Sequence, residues 1–388
     1  MKYDFDKETD RRNTHSLKWD VGEGELPMWV ADMDFETAPE IQAAIKRRAE
    51  HGIYGYTTVS DEWRRAYTDW WKQRHGAQIE EDSLIFCTGV VPAISSIVRK
   101  LTTPAEKVVF MTPAYNIFFN SVLNNGRQVL ECPLDYDGAG YEIHFGRLEE
   151  ALADPQTAMM ILCNPHNPTG NIWGKEALRR IGELCAKYHV VVVSDEIHCD
   201  LTEPGSEYIP FASVSEACRF NSITCLAPTK AFNLAGIQTA AVSVPDETLR
   251  HKVWRGLNTD EVAEPNVFAV EAVIAAFTCG APWLDSLRVY ISRNRKFAGD
   301  FLKKELPDIH LVPAQATYLL WLDCSRITED TSDLCAFIRR ETGLYVSEGA
   351  QFGGNGSRFI RVNIACPKRT VRQGMERLKE GIEKYKRL

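Results

Sequence analysis

The sequence lacks the features that would direct a protein into a membrane or out of the cell. No run of apolar residues approaches the roughly 18 that a membrane-spanning helix requires. The opening stretch, MKYDFDKETDRRNTHSLKWD, is strongly charged and has no apolar core of signal-peptide length. We therefore expect a cytoplasmic protein with no membrane partner.

An excess of positive charge is also absent. Lys and Arg number 45 against 53 Asp and Glu, which gives a formal net charge of -8. Proteins that bind nucleic acids usually carry a basic face that neutralises phosphates. We expect no nucleic-acid partner, and a small molecule is the favoured ligand.

Paired cysteines are missing as well. The eleven cysteines stand singly, and no two are spaced as C-x-x-C. This pattern is typical of a reducing compartment, and it gives no support to a zinc ribbon or a thioredoxin-like redox site.

What the chain does contain, from about residue 84, is an alternation of short apolar runs with longer amphipathic segments. Several runs are apolar at consecutive positions, as in strands that helices cover on both faces. The pattern predicts βαβ units and a mostly parallel sheet, so the expected fold class is α/β. The six predicted strands are 84–88, 107–111, 158–163, 189–194, 222–226 and 239–244.

The last hundred residues follow a different pattern. A long polar helix after residue 280, three short strands and a closing amphipathic helix predict a smaller α+β unit. No linker rich in proline or serine separates it from the rest, so the two units should pack closely. We predict a large domain over residues 45–280 and a small domain formed by residues 1–44 and 281–388.

Lys230 stands in an unusual sequence environment. It lies in LAPTKAFNLAG, between a run that predicts a buried strand and a group of small and apolar residues. A lysine at the edge of a loop often keeps its ammonium in water and buries only its stem. If the ammonium is buried instead, desolvation lowers its pKa and makes the amine a better nucleophile and base.

Other predicted strand ends carry residues suited to one small ligand, because ligands of parallel sheets bind where strands end and helices begin. Gly89 and Val90 open a helix whose backbone N–H groups can face an anion. Tyr115 follows the next strand, and Asn164 and Asn167 belong to the rigid polar loop NPHNPTG.

Asp195 ends the most apolar predicted strand, where a carboxylate needs a positively charged partner. A metal bound by Asp195, Glu196, His198 and Asp200 is one alternative. Successive strand residues point to opposite faces, however, so these four would not converge easily, and we predict no metal site. The other alternative is a protonated ring nitrogen on a bound cofactor, with His198 as a supporting residue.

These residues follow one another at successive strand ends: the anion turn, the aromatic ring, the asparagine loop, the aspartate and the lysine. Asn164 and Asp195 are 31 residues apart, and Asp195 and Lys230 are 35 apart, which is about one βαβ unit each. Such a set can hold a flat, phosphorylated pyridine ring. Pyridoxal phosphate requires a lysine that bonds to its aldehyde and, usually, a carboxylate on its ring nitrogen.

On these motifs the chain resembles fold-type I pyridoxal-phosphate enzymes of the class I/II aminotransferase superfamily over nearly its whole length. The segments PMWVADMDF, YGYT, NPHNPTG, DEIHCDL and KAFNLAG are most similar to the cystathionine β-lyase, or cysteine-S-conjugate β-lyase, branch. The resemblance implies a seven-stranded, mostly parallel sheet and pyridoxal 5′-phosphate as cofactor. It also implies a homodimer with a shared active site.

The resemblance implies a role for each matching residue. Lys230 would bond to the cofactor aldehyde and act in catalysis, and Asp195 would pair with the ring nitrogen. Asn167 would donate to the ring hydroxyl, and Tyr115 would lie against the ring. The remaining residues expected at the cofactor are Gly89, Val90, Asn164, His198 and Thr229.

Two further residues would act on the substrate. Tyr56, in YGYT, matches a tyrosine that such enzymes contribute across the dimer interface, and Arg361 matches the arginine that binds the substrate α-carboxylate. Two positions depart from the wider superfamily: Ala227 and Gln238 stand where many members have Ser and Arg that bind the phosphate. The phosphate would then depend more on the helix N-terminus.

The activity implied by the resemblance is α,β-elimination of an L-cysteine S-conjugate such as cystathionine, which releases a thiol, pyruvate and ammonia. An aminotransferase acting on an amino acid is the alternative that the residue spacing leaves open. A regulatory binding protein with residual lyase activity is a lesser alternative, because some relatives also bind a transcription regulator. The presence of Lys230 and Arg361 favours an enzyme.

Overall fold

The computed structural model describes residues 3–388. In that range the helices are α1 Pro39–Glu50, α2 Asp61–His75, α3 Val90–Leu101, α4 Ile117–Leu123, α5 Phe145–Ala153, α6 Lys175–Lys187, α7 Glu216–Phe220, α8 Glu247–Thr259, α9 Ala269–Cys279, α10 Ala281–Glu305, α11 Thr331–Thr342 and α12 Lys368–Tyr385. The strands are β1 Leu26–Pro27, β2 Leu84–Cys87, β3 Lys107–Thr112, β4 Gln128–Pro133, β5 Asp135–Tyr136, β6 Tyr141–Glu142, β7 Thr157–Cys163, β8 Val191–Asp195, β9 Ser222–Leu226, β10 Ala240–Ser243, β11 His310–Leu311, β12 Leu319–Asp323, β13 Leu344–Tyr345, β14 Ser347–Glu348 and β15 Phe359–Asn363.

A seven-stranded sheet forms the centre of the large unit, in the order β2-β10-β9-β8-β7-β3-β4. Every neighbouring pair is parallel except the two that involve β10. The predicted seven-stranded, mostly parallel sheet is therefore confirmed. The apolar runs had indicated six of these strands to within about two residues; they missed β4, an edge strand that is mostly exposed or half-buried and so has no continuous apolar run.

The register of the central strands explains how distant residues meet. Cys163 at the end of β7 pairs with Asp195 at the end of β8, which in turn pairs with Cys225 near the end of β9. Because these strands are parallel, the loops that leave their C-terminal ends lie at one edge of the sheet. This is the edge at which open α/β sheets bind ligands.

The small unit contains an antiparallel sheet in the order β11-β12-β15-β14. The strand β15 carries Arg361, which contacts Asn167 in the loop that follows β7 at the ligand edge of the large sheet. The closing amphipathic helix is α12, whose apolar face contains Val371, Met375, Leu378 and Ile382, all buried. Tyr385, on the same face, is partly buried.

Residues 45–280 and residues 1–44 with 281–388 remain our proposed division into domains. A separate sheet in the second set supports the division. One hydrophobic cluster nevertheless includes Trp63 and Phe232 from the large unit and Leu320 and Ile364 from the small one. The two units thus share buried apolar surface.

Between residues 3 and 388, no single helix has the length and apolar character of a membrane span. The helices α9 and α10 reach that threshold only when taken together, and they are bent by 76° at their junction.

Candidate functional site

A cavity of about 270 Å³ lies at the ligand edge of the large sheet. Its walls are built from loops that follow five strands, β2, β3, β7, β8 and β9, from the first turn of α3 and from Ala31. The residues therefore come from widely separated parts of the sequence. The predicted residues that line it are Gly89, Val90, Tyr115, Asn167, Asp195, His198, Thr229 and Lys230.

The amine of Lys230 faces this cavity from a partly buried position. Its Nζ donates a hydrogen bond of 2.6 Å to the backbone carbonyl of Ala31. Burial lowers the pKa of Lys230 to about 8, and the positive charge of Arg361 acts in the same direction, whereas the carboxylates of Asp32 and Asp195 oppose the shift. The amine can therefore exchange a proton near neutral pH.

Asp195 is buried at the end of β8, and its Oδ1 accepts a hydrogen bond of 3.1 Å from the amide of Ile197. Burial raises the pKa of Asp195 to about 6, although this hydrogen bond and the charge of Lys230 lower it. A cationic ring nitrogen placed in the cavity would favour the ionised carboxylate.

His198 lines the same cavity with a neutral imidazole. Burial lowers the pKa of His198 to about 3, and the charges of Lys230 and Arg361 add to the effect. Among the residues that the structure describes, Nδ1 of His198 has no hydrogen-bond partner. The same holds for the buried Oγ1 of Thr239, which also lines the cavity.

The start of α3 lines the cavity. Gly89 is extended, with φ 171° and ψ 160°, and the helix begins at Val90. The N–H groups of a first helical turn have no partner within the helix, and the helix dipole favours negative charge there. Of the two departures from the superfamily pattern, Gln238 lines the cavity and Ala227 does not.

Arg361 lies buried in β15, close to the cavity. Its Nη1 donates to Oδ1 of Asn167 at 3.2 Å and its Nη2 donates to the carbonyl of Trp29 at 3.0 Å. The guanidinium lies 4.7 Å from the centre of the Phe352 ring. Burial lowers the pKa of Arg361 to about 10. No carboxylate of residues 3–388 pairs with it, and its Nε is unpartnered, so the site is suited to an anionic substrate group.

Two predicted residues lie elsewhere. Asn164 does not line the cavity, because its Nδ2 donates to the carbonyl of Ile209 at 2.9 Å and its Oδ1 accepts from the amide of Trp173 at 3.4 Å. Both ends of its amide therefore support the loop, and its expected place at the cofactor stays a prediction. Tyr56 is fully exposed and lies outside the cavity of its own chain.

Of the four polar residues considered as metal ligands, Asp195 and His198 line the cavity, whereas Glu196 and Asp200 do not. Glu196 accepts from Ser194 and Tyr208 rather than facing the cavity. Asp200 accepts from Trp70 and pairs with His75. Within the described part of the chain, one set of ligand-type atoms, from His75, Cys199 and Asp200, lies within 4.8 Å of one another. The Asp200 carboxylate of this set already accepts from Trp70 and pairs with Arg74.

Sequence reasoning missed the segment 29–33, which we call the N-terminal strap. Lys230, Arg361, Tyr318 and Asn363 all donate side-chain hydrogen bonds to its carbonyls. The motif WVADMDF was recognised, but a carbonyl acceptor is present at every residue and leaves no signature in the side chains.

The model of the family described as Aminotransferase class I and II matches residues 26–378. The chain belongs to this family. It is 42% identical to cystathionine β-lyase PatB of Bacillus subtilis, over 97% of this chain and 99% of that protein. The structure of cystalysin from Treponema denticola, which contains pyridoxal 5′-phosphate, is 32% identical with a TM-score of 0.95 and covers 99% of this chain and 100% of its own.

A pyridoxal-phosphate-bound C–S lyase from Staphylococcus hominis is also similar, at 32% identity and a TM-score of 0.91 over 98% of this chain and 99% of its own. These similarities confirm the predicted fold class and the predicted family.

The residues present fit a phosphorylated pyridine aldehyde. The donor set offers a carboxylate for a ring nitrogen, an amine for an aldehyde and helix N–H groups for a phosphate. The unpartnered, buried atoms of His198 and Thr239 show that polar groups in the cavity are left for a ligand to satisfy.

Proposed function

We propose that this chain is a pyridoxal-phosphate-dependent C–S lyase that cleaves L-cystathionine or a related L-cysteine S-conjugate. The observation that carries the proposal is the 42% identity, over nearly the full length of both chains, to a cystathionine β-lyase. The overall reaction consumes one water and releases a thiol, pyruvate and ammonia. The carbon–sulfur bond at the β-carbon breaks, and the sulfur leaves with the bonding electrons.

When bound, pyridoxal phosphate supplies an aldehyde that bonds to amines and a ring that withdraws electrons from the substrate α-carbon. Lys230 holds the aldehyde and Asp195 holds the proton of the ring nitrogen. The N–H groups at the start of α3, at Gly89 and Val90, hold the phosphate. Asn167, already in contact with Arg361, links the cofactor side of the cavity to the substrate side.

On the substrate, Arg361 binds the α-carboxylate with a planar, buried guanidinium. Once the substrate amine has taken the place of Lys230 on the aldehyde, the freed amine of Lys230 would remove the α-proton, because it lies in the cavity and burial brings its pKa to about 8. The Ala31 carbonyl, which accepts from Nζ, stabilises the ammonium that results. Arg361 and Lys230 act on the α-carboxylate and the α-proton, so they do not select the substituent on sulfur, and other residues must determine which thiol is released.

We further propose a homodimer in which Tyr56 enters the cavity of the partner. What supports this is that Tyr56 projects fully from its own chain, in a segment where Ile53 and Tyr54 are also more than half exposed. Large apolar side chains clustered in this way are typical of an interface.

The test is to incubate the purified, cofactor-loaded protein with L-cystathionine and to measure pyruvate and free thiol. We expect both products in equal amounts, and neither from a Lys230→Ala variant. Amino transfer that depends on an added keto acid, without release of thiol, would overturn the lyase and support the aminotransferase alternative.

A further inference from the structure

The N-terminal strap is held by its carbonyl groups, which bind side chains, and also by the Asp32 carboxylate, which pairs with Arg11, and the Met33 amide, which donates to Oδ1 of Asn233. Each carbonyl from residue 29 to residue 33 accepts a hydrogen bond from at least one side chain. The pairs are Trp29 with Arg361 and Ser347, Val30 with Asn363, Ala31 with Lys230 and Tyr318, Asp32 with Asn363, and Met33 with Asn233 and Arg11. Irregular backbone is thus fixed by side chains instead of by a helix or a sheet.

Asn363 has a distinct place in this set, because its one amide binds two carbonyls. Its Nδ2 donates to Val30 O and to Asp32 O, each at 2.6 Å. Its Oδ1 accepts from the amide of Ala365 at 2.7 Å, and the side chain is almost fully buried. Both amide hydrogens and the acceptor are therefore used, which leaves the side chain no freedom to rotate.

The carbonyl between those two is that of Ala31, which accepts from Nζ of Lys230. We propose that Asn363 is a positioning residue: by clamping the peptide groups on either side, it presents the Ala31 carbonyl to the amine of Lys230. The residue acts through the strap, since its own hydrogen bonds go to backbone carbonyls and an amide. It lies two positions beyond Arg361 in β15, so one strand sets both the carboxylate site and the acceptor for the amine.

A lost clamp should change the protonation of Lys230, because an acceptor stabilises the charged form of an amine. Other charges act on the same amine: Asp32 belongs to the strap and would move with it, whereas Asp195 and Arg361 lie outside the strap. The ionisable groups of the surrounding elements are Asp32 of the strap, Asp195 and His198 after β8, Arg361 of β15, and the tyrosines Tyr115 and Tyr318. Burial remains the largest influence and is unchanged by a substitution at position 363.

The chain offers a matched control in Asn294 on α10. This residue is equally buried, and its Nδ2 also donates to two carbonyls, those of Ile364 at 3.1 Å and Cys366 at 2.9 Å. It clamps the segment after β15 and does not contact the strap. Substitution of either asparagine by alanine removes two hydrogen bonds from Nδ2 to backbone carbonyls, and Asn363→Ala also removes the one that its Oδ1 accepts from Ala365.

The experiment measures the reactivity of Lys230 in the full chain freed of cofactor. The wild type, Asn363→Ala and Asn294→Ala are labelled with acetic anhydride over a series of pH values, and the peptide containing Lys230 is quantified by mass spectrometry. We expect the labelling midpoint of Asn363→Ala to fall by about half a unit to one unit. Neutral amine below the midpoint then rises about three- to tenfold, while Asn294→Ala keeps the wild-type midpoint.

An unchanged midpoint in Asn363→Ala, or an equal shift in both variants, overturns the proposal. If Asn363→Ala does not fold by circular dichroism, Asn363→Ser, which keeps one donor, is labelled instead and a smaller downward shift is expected; no shift overturns the proposal there too. The inference rests on the proposed function only in that Lys230 is assumed to act as the base of the lyase reaction. Labelling requires no lyase activity, so an inactive wild type with the expected shift would reject the function and keep the clamp.

Discussion

Nη1 of Arg361 donates to Oδ1 of Asn167 over 3.2 Å, which joins the small-unit strand β15 to the loop that follows β7. One residue of this pair is proposed to bind the substrate and the other the cofactor. Their direct contact means that the two ligand positions cannot shift independently. The remaining hydrogen bond of the guanidinium, to Trp29, ties both to the N-terminal strap.

Replacement of Arg361 by alanine should raise KM for the amino-acid substrate. Hydrogen bonds to a charged group contribute about 1.5–3 kcal/mol, so kcat/KM should fall by about 10- to 100-fold. Steady-state kinetics with pyruvate as the readout measures this. Arg340→Ala, at an exposed position of α11, is the control, and a fall in kcat with KM unchanged would contradict carboxylate binding.

The contribution of Lys230 to the stability of the cofactor-free chain should rise between pH 8 and pH 10, whereas the buried cysteines, whose pKa values burial raises, contribute in the opposite direction. The pKa of this amine falls from 10.5 to about 8 on folding. In that window Lys230 binds a proton in the unfolded chain that it does not bind in the folded chain, so its contribution to the free energy of unfolding increases with pH, by up to about 3 kcal/mol.

Urea unfolding at the two pH values measures this change. From pH 8 to pH 10 the wild type should gain stability relative to Lys230→Met, whereas Lys72→Met, at an exposed position of α2, should behave as the wild type. An identical pH dependence in the wild type and in Lys230→Met would show that the amine is not desolvated.

Mixed dimers should reveal whether Tyr56 serves the partner. We expect Tyr56→Ala and Lys230→Ala each to lose activity as separate proteins. After unfolding and refolding of an equal mixture, about half of the dimers should be hybrids with one intact site, which restores about a quarter of the wild-type activity. If both residues serve the same chain, the mixture stays inactive; Tyr56→Ala with full activity would remove the proposed role.

Gly349 should tolerate no side chain. A Cβ there would lie 2.0 Å from the carbonyl oxygen of Gly356 and 2.5 Å from that of Phe359, so backbone must move. Gly349→Ala should lower the free energy of unfolding by about 1–3 kcal/mol. Gly140→Ala, where a Cβ meets nothing within 4 Å, is the control, and equal stability of the two variants in urea would contradict this crowding.

Most of the fold follows from local patterns. The continuous apolar runs at β7 and β8 were sufficient to place these strands. Helix α2 carries local signals at both ends: Oγ of Ser60 accepts from the amide of Trp63, and Gly76, with φ 63°, follows the last turn. The edge strand β4 was missed because its residues are half-buried or exposed, and such a strand has no apolar run to reveal it.

The site divides in the same way. The chemistry of Lys230 and Asp195 and their positions after buried strands could be predicted, since parallel strands bring their C-terminal ends together. The hydrogen-bond partners of Asn164 could not be predicted, because an amide in a polar loop can face either a ligand or the backbone. The structure shows it bonded to Ile209 and Trp173.

The sequence by itself determined the α/β architecture, the order of reactive residues along the strand ends and the resemblance to a cofactor-dependent family. Only the tertiary structure decided that Lys230 faces the carbonyl of Ala31, 199 residues earlier, and that Asn363 clamps the groups around it. Apolar periodicity is set by neighbouring residues and is visible in the sequence. Which carbonyl meets a buried amine depends on how two distant segments pack, and every residue offers the same carbonyl.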